Sequence, residues 1–163
     1  MSITLTPPHL SVALPSVRRG RELVLLADLE AHEAGSAFVD VEHLLLAAVV
    51  LCHGMPAFRP VLDRFGVAPS AIRERIAAPV DSRHECPDEH DRVTCTVAVE
   101  SLLARATVLA SPLDRIRPVH VLLAALDGDS ATVHRARGAL RVERGRFRRA
   151  MRRTARRAGH TTR

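Results

Sequence analysis

Apolar residues recur along most of the chain every three to four positions, the spacing of a helix that buries one face. Start and stop signals divide the pattern: Gly35 and Gly66 suit helix ends, Asp40 suits a cap, and Pro69 and Pro118 suit first turns. The predicted helices cover residues 17–34, 41–51, 57–65, 69–77, 93–109, 118–126 and 131–140, and the last begins near 143. Leu- and Ala-rich runs favour helices over strands. The pattern therefore predicts an all-α fold of about eight helices.

One apolar stretch occurs twice. His43 and the Leu-Leu-Ala-Ala run at 45–48 return 77 residues later as His120 and the run at 122–125. The last two helices of each half also match, now at a spacing of 75, as Ile72 does with Phe147. A long echo at nearly constant spacing is typical of a duplicated structural unit. We therefore predict two four-helix repeats related by a pseudo-twofold axis.

Changes in composition suggest the domain boundaries. Residues 1–16 are a Pro-rich lead-in, interpreted as extended or loose, and residues 78–92 are a polar linker with two prolines. Repeat one is predicted to span 17–77 and repeat two 93–152, so that the domain covers 17–152. An Arg-rich tail, 153–163, follows.

Charge is distributed unevenly along the chain. Residues 141–163 contain ten Arg and one acid, a balance of +9, whereas residues 1–140 contain fourteen Arg and seventeen acids, a balance of −3. An apolar fraction of 47% excludes a disordered chain. Three Cys without framework spacing and no apolar leader predict a cytoplasmic protein. The longest apolar run, 44–52, is far shorter than the roughly 20 residues that span a membrane.

The duplicated motif has a family resemblance. Val-x-x-Glu-His-Leu-Leu-Leu-Ala at 39–47 and Ile-x-x-Val-His-Val-Leu-Leu-Ala at 116–124 resemble the paired motifs of the Clp N-terminal (Clp repeat) domain, over roughly residues 15–152. The resemblance implies an all-α, pseudo-twofold, non-catalytic docking platform, as found at the start of ClpA-, ClpB- and ClpC-type unfoldases. The chain contains no Lys and hence no P-loop, so it is similar to a stand-alone version without the ATPase.

The resemblance also implies a ligand site. ClpC-like domains bind phospho-arginine and cyclic peptide antibiotics, and the glutamate of the Glu-His motif, here Glu42, binds the guanidinium through two parallel hydrogen bonds. The accompanying hydroxyl position aligns with Val17, beside Ser16; in repeat two Thr94 supplies the hydroxyl but Val119 replaces the glutamate. Each predicted site thus retains half of the pattern. Alternatively, Glu42 only complements the helix dipole, which is worth about 0.3–1 kcal/mol.

Other candidate ligands favour structural interpretations. His43 and His120 are predicted to be half-buried, with rings that hydrogen-bond the backbone and tie each helix to its neighbour, although a metal or acid–base role is the alternative. The irregularly spaced His84, Cys86, His90 and Cys95 match no zinc pattern, so a solvated linker is preferred and no metal or other cofactor is predicted. No nucleophile elbow or other catalytic constellation is present, which predicts that the protein is not an enzyme.

The basic C-terminal segment offers a second surface. Three Arg-Arg pairs repeat every four residues and fall on one helical face: Arg148, Arg149, Arg152, Arg153, Arg156 and Arg157. They predict binding to a polyanion or an acidic partner, and the alternative is a solvated helix end that frays.

Two hypotheses for function follow. The first is a protein- or peptide-binding module that engages Clp machinery, adaptors, clients or N-domain-directed peptides, as a regulator or a decoy. The second is a nucleic-acid-associated protein that binds weakly through the basic helix. Neither hypothesis involves a membrane.

Overall fold

The computed structural model describes residues 9–10, 20–76, 95–110 and 115–159. Within these ranges the chain forms eight helices: α1 Arg21–Glu33, α2 Val41–His53, α3 Arg59–Arg64, α4 Pro69–Ile76, α5 Val97–Ala110, α6 Pro118–Asp127, α7 Ala131–Gly138 and α8 Arg144–Arg157. The predicted all-α class is confirmed. Among the helix bounds, α2 extends two residues further than expected, to His53. The predicted linker, 78–92, lies outside the described residues.

The duplicated apolar stretches form the two central helices. Every residue from His43 to Val49 and from Val119 to Leu126 is buried. Helices α2 and α6 pack against each other, α1 packs on α2, and α5 packs on α6. A helix that is covered on several sides must be apolar around its whole circumference. This burial explains why the Leu-Leu-Ala-Ala run recurs in both repeats.

Two predicted glycine stops have the expected backbone. Gly35 follows α1 with φ +73° and Gly66 follows α3 with φ +67°. Glycine adopts this left-handed conformation without steric cost. At the repeat spacing of 75 from Gly66 stands Arg141, which has φ +48° without being glycine. The turn is therefore duplicated although the residue that suits it is not.

A short strand pair supplements the helices. Strand β1, His9–Leu10, pairs antiparallel with β2, Cys95–Thr96, in the register His9 with Thr96 and Leu10 with Cys95. Val39, just before α2, forms a further bridge with Cys95. The sequence predicted no strands, because a two-residue pairing has no periodicity to detect. The bridge brings the start of α5, in repeat two, against the start of α2, in repeat one.

An ion pair fastens repeat one internally. The guanidinium of Arg73 on α4 donates from Nε to Oε2 of Glu30 at 2.8 Å and from a second nitrogen to the other carboxylate oxygen. Glu30 is 5% exposed, on the inner face of α1. A buried carboxylate needs such a paired, hydrogen-bonded partner. Arg73 thus joins the first and last helices of repeat one.

Candidate ligand-binding site and arginine face

The start of α2 is organised by Asp40 and His43. Asp40 is the N-cap, as predicted, and its Oδ1 accepts a hydrogen bond from Val41 N at 2.7 Å. In return Asp40 N donates to Nδ1 of His43 at 3.1 Å. Burial lowers the pKa of His43, against the opposing effects of Asp40 and Glu30. His43 is therefore an uncharged part of the cap and not an exposed ligand.

The start of α6 repeats this arrangement. Arg117 N donates to Nδ1 of His120 at 3.2 Å, and Pro118 occupies the first helical position. His120 is fully buried, with 0% exposure. The predicted backbone hydrogen bond is thus observed for both histidines. Each ring caps the N-terminus of its own helix, whereas the sequence predicted that it would connect the helix to a neighbouring one.

Glu42 lies two residues into α2 and is half-buried. Burial raises its pKa, the carboxylate of Asp40 raises it further, and the guanidinium of Arg135 on α7 opposes them. Among the described residues no donor makes a hydrogen bond to this carboxylate. Its counterpart in repeat two, Val119, is 0% exposed and belongs to the core. The repeats therefore present only one carboxylate at this position.

The positions predicted to accompany Glu42, Ser16, Val17 and Thr94, all lie outside the described residues. Thr96 is described and stands at the start of α5, where its Oγ1 accepts a hydrogen bond from Val99 N at 3.4 Å and donates one to Asp40 Oδ1 at 3.0 Å.

The burial register of the first helices supports Thr96 as the repeat-two hydroxyl. Buried positions of the first helix and its approach recur 79 residues later: Gly20, Leu23, Val24, Ala27 and Ala31 correspond to Val99, Leu102, Leu103, Ala106 and Ala110. The same spacing pairs Val17 with Thr96, two residues beyond the Thr94 that a spacing of 77 indicates. Matched positions of the first and second helices are thus two residues closer in repeat two: His43 follows Ala27 by 16 positions, whereas His120 follows Ala106 by 14.

These contacts bring together groups from different repeats. Asp40 interacts electrostatically with Glu42 and accepts the hydroxyl hydrogen of Thr96. The result is a partly buried pair of carboxylates beside a hydroxyl that is already engaged. Burial and the nearby Asp40 raise the pKa of Glu42, and an approaching cation favours its ionised form. The site therefore suits a guanidinium or ammonium group.

The six arginines of the predicted basic face divide into two sets. Arg148 forms an ion pair with Asp127 Oδ1, and Arg152 donates to Asp127 Oδ2 at 2.9 Å. The other four, which we call the arginine face, are exposed: Arg149, Arg153, Arg156 and Arg157. None of these four forms an ion pair among the described residues. Only the second set is available to a partner.

Sequence reasoning missed Asp127 as the anchor of this helix. Arg148 stands 75 residues after Arg73, the spacing of the other matched pairs, so a structural role could have been suspected. The identity of its partner could not have been predicted, because Arg73 pairs with Glu30 on α1 whereas Arg148 pairs with Asp127 at the end of α6. The equivalent arginines of the two repeats thus pair with carboxylates on non-equivalent helices.

The two cysteines in the described residues, Cys52 and Cys95, offer no nucleophile. Cys52 is buried with 0% exposure, and burial raises its pKa far above the ordinary range. Burial also raises the pKa of Cys95 to about 11. Reactive cysteines need a lowered pKa and access to solvent. In the described parts of the chain no group of His, Cys, Asp and Glu could hold a metal ion; His84, Cys86 and His90 lie outside them.

The fold and the site define a class: a duplicated helical domain in which His43 and His120 cap equivalent helices and the exposed candidate binding groups are charged. The Clp repeat N-terminal domain family matches residues 18–140, which is most of the chain. The chain belongs to this family. It is a Clp N-domain-like module, of a kind that generally interacts with proteins and is not catalytic.

A solved structure agrees on the fold. The N-terminal domain of the caseinolytic protease-associated chaperone ClpD from Arabidopsis thaliana matches with a TM-score of 0.52 and 15% identity, covering 85% of this chain and 92% of that one. No curated protein matches significantly. In the described ranges no helix has the length and apolarity to cross a membrane. The family match ends before α8, although α8 packs on α6 and shares its core.

Proposed function

We propose that this chain is a non-catalytic module that binds a peptide or protein. The start of α2 receives a basic side chain of that ligand. Its ligands are adaptors, degradation substrates or N-domain-directed peptides of a Clp machine. By binding such ligands, the module acts as a regulator or a decoy.

The observation that carries this proposal is the environment of Glu42. The side chain is half-buried, has a raised pKa and accepts no hydrogen bond among the described residues. A carboxylate in this condition gains from two parallel hydrogen bonds to an incoming guanidinium. Family membership supports the same conclusion, because Glu42 occupies the glutamate of the Glu-His motif.

The surroundings favour arginine over phospho-arginine. Thr96 Oγ1 already donates to Asp40 and is not free to donate to a phosphate. The Asp40 carboxylate would also repel a phosphate, because like charges at close range destabilise one another. Since Val119 is buried, repeat two lacks the equivalent carboxylate. The proposal therefore specifies one ligand per chain.

Calorimetry with short arginine-containing peptides, in phosphorylated and unphosphorylated forms, tests this proposal. Wild type should bind the unphosphorylated form more tightly, with a stoichiometry near one. Glu42→Gln should lower the affinity about tenfold or more, since a charge-assisted pair contributes about 1.5–3 kcal/mol. Glu33→Gln, an exposed glutamate of α1, is the matched control. Equal binding by Glu42→Gln and wild type would exclude this site.

The role in proteolysis needs a second measurement. Immobilised wild type and Glu42→Gln are incubated with lysate, and retained proteins are identified by mass spectrometry. The proposal expects Clp components or their clients to be retained by the wild type and lost from the variant. Retention that is identical on both proteins would argue against Glu42-dependent capture.

A further inference from the structure

The arginine face of α8 is rigidly supported. On the opposite side of the helix Phe147, Met151 and Ala155 each have 0% exposure, and Phe147 packs edge-on against Phe65 with ring centroids 5.2 Å apart. Arg148 and Arg152 hold the flank of the helix on Asp127. The four exposed guanidinium groups are therefore carried by an anchored helix.

The arrangement of these four charges is regular. At about 100° per residue, Arg149, Arg153, Arg156 and Arg157 lie within about 100° of the helix circumference, and a rise of about 1.5 Å per residue spreads them over roughly 12 Å. Helix α8 contains no acidic residue. The N-cap carboxylate of Glu143 interacts electrostatically with Arg149, and no acidic residue within the helix neutralises the other three.

The composition of α8 distinguishes between two kinds of partner. Its residues other than arginine are Gly145, Phe147, Ala150, Met151, Thr154 and Ala155, and the two large apolar ones are buried. Arginine is common at protein interfaces too, but there it usually accompanies aromatic or other apolar anchors at the centre. A surface of arginine and small side chains offers no such anchor. It matches instead a linear array of phosphates, which arginine binds bidentately.

We propose that α8 binds the phosphate backbone of duplex nucleic acid through Arg149, Arg153, Arg156 and Arg157. Contacts to phosphates carry no sequence information, so binding is independent of sequence. This activity is separate from the peptide site at Glu42.

Fluorescence anisotropy with a labelled duplex of roughly 20 base pairs, at several salt concentrations, tests the proposal. Four phosphate contacts predict a slope of log affinity against log salt of about −3.6. Replacing three arginines (Arg149→Gln, Arg153→Gln and Arg156→Gln) should leave a slope near −0.9 and lower the affinity on the order of a thousandfold at about 50 mM salt. These changes spare Asp127 and the buried anchors, and circular dichroism verifies the fold.

The control removes three other exposed arginines: Arg21→Gln, Arg59→Gln and Arg64→Gln, with the same change in net charge. Its slope and affinity should stay close to those of wild type. An equal loss in the control, or the absence of salt-dependent binding by wild type, would overturn the proposal. So would equal displacement of the duplex by polyglutamate at matched charge concentration, which would identify an acidic protein as the partner.

Discussion

The hydroxyl of Thr96 in repeat two donates a hydrogen bond to the carboxylate of Asp40 in repeat one, at 3.0 Å. The backbone reinforces this contact, because Thr96 N donates to the carbonyl of Val39 at 3.0 Å. Asp40 caps α2, and Thr96 Oγ1 accepts from the first turn of α5. One pair of polar residues therefore caps the N-termini of two helices and joins the two repeats.

Replacing Thr96 by valine should lower the free energy of unfolding by about 1–2 kcal/mol, because a helix cap and a partly buried hydrogen bond are lost together. Chemical denaturation measures the change. Thr107→Val is the matched control: the Thr107 hydroxyl bonds only the carbonyl of Leu103, four residues earlier in α5, so its loss should cost less than about 0.5 kcal/mol. Equal effects of the two substitutions would contradict a linking role for Thr96.

Asp127→Asn should loosen α8. The Asp127 side chain is 21% exposed and holds both Arg148 and Arg152 near the end of α6. Losing the charge leaves two partly buried guanidinium groups without their counterion, so we expect a cost of about 1–2 kcal/mol and faster hydrogen exchange in α8. Asp129→Asn, which alters an 83% exposed carboxylate paired with Arg144, should cost less than about 0.5 kcal/mol. Unchanged exchange in α8 of Asp127→Asn would show that apolar packing alone holds the helix.

Arg141→Gly should stabilise the protein by about 0.5–1 kcal/mol. Arg141 has φ +48°, a conformation that costs a residue with a side chain roughly 1–2 kcal/mol, and glycine returns part of that gain through its greater freedom when unfolded. The reverse change at the equivalent position, Gly66→Ala, should destabilise by about 1 kcal/mol through backbone strain alone, since an added Cβ there meets no atom within 4 Å. Thermal unfolding of both variants checks the pair. A destabilised Arg141→Gly would mean that the arginine side chain contributes more than its backbone costs.

The pKa of His43 gives stability a defined dependence on pH. Burial lowers this pKa below 6.5 in the folded state, so below about pH 6.5 the unfolded chain binds more protons than the folded one. Stability should therefore fall as pH falls from about 6.5 through the lowered pKa, at no more than about 1.4 kcal/mol per pH unit for this group.

His43→Gln separates this effect from the other histidines. Glutamine at the same helix position can also accept the hydrogen bond from Asp40 N, but it does not titrate. The free energy of unfolding of the variant should decline less than that of wild type between about pH 6.5 and 5. Parallel curves for the two proteins would remove His43 as the source of the dependence.

Features that depend on local sequence were predictable. The helix at 41–51, the cap at Asp40, the first-turn proline Pro118 and the glycine stops follow from periodicity and from the conformations that single residues prefer. The histidines were interpreted correctly as backbone partners for a related reason, since each lies three residues from the group it caps. Thr96 was not predicted because matched positions are 79 residues apart in the first helices and 77 apart in the second, and the spacing of 77 indicates Thr94 instead.

The sequence by itself determined that this protein is a duplicated all-α domain, because the period of its apolar residues and the recurrence of the histidine and the Leu-Leu-Ala-Ala run require no knowledge of contacts. Only the tertiary structure decided which polar groups are engaged in contacts within the fold. Asp127 engages two of six arginines and Asp40 engages the Thr96 hydroxyl, in both cases across different helices. Such pairings depend on how helices pack in space. Glu42 and the four remaining arginines can therefore be recognised as candidate binding groups only once the partners of the other polar side chains are known.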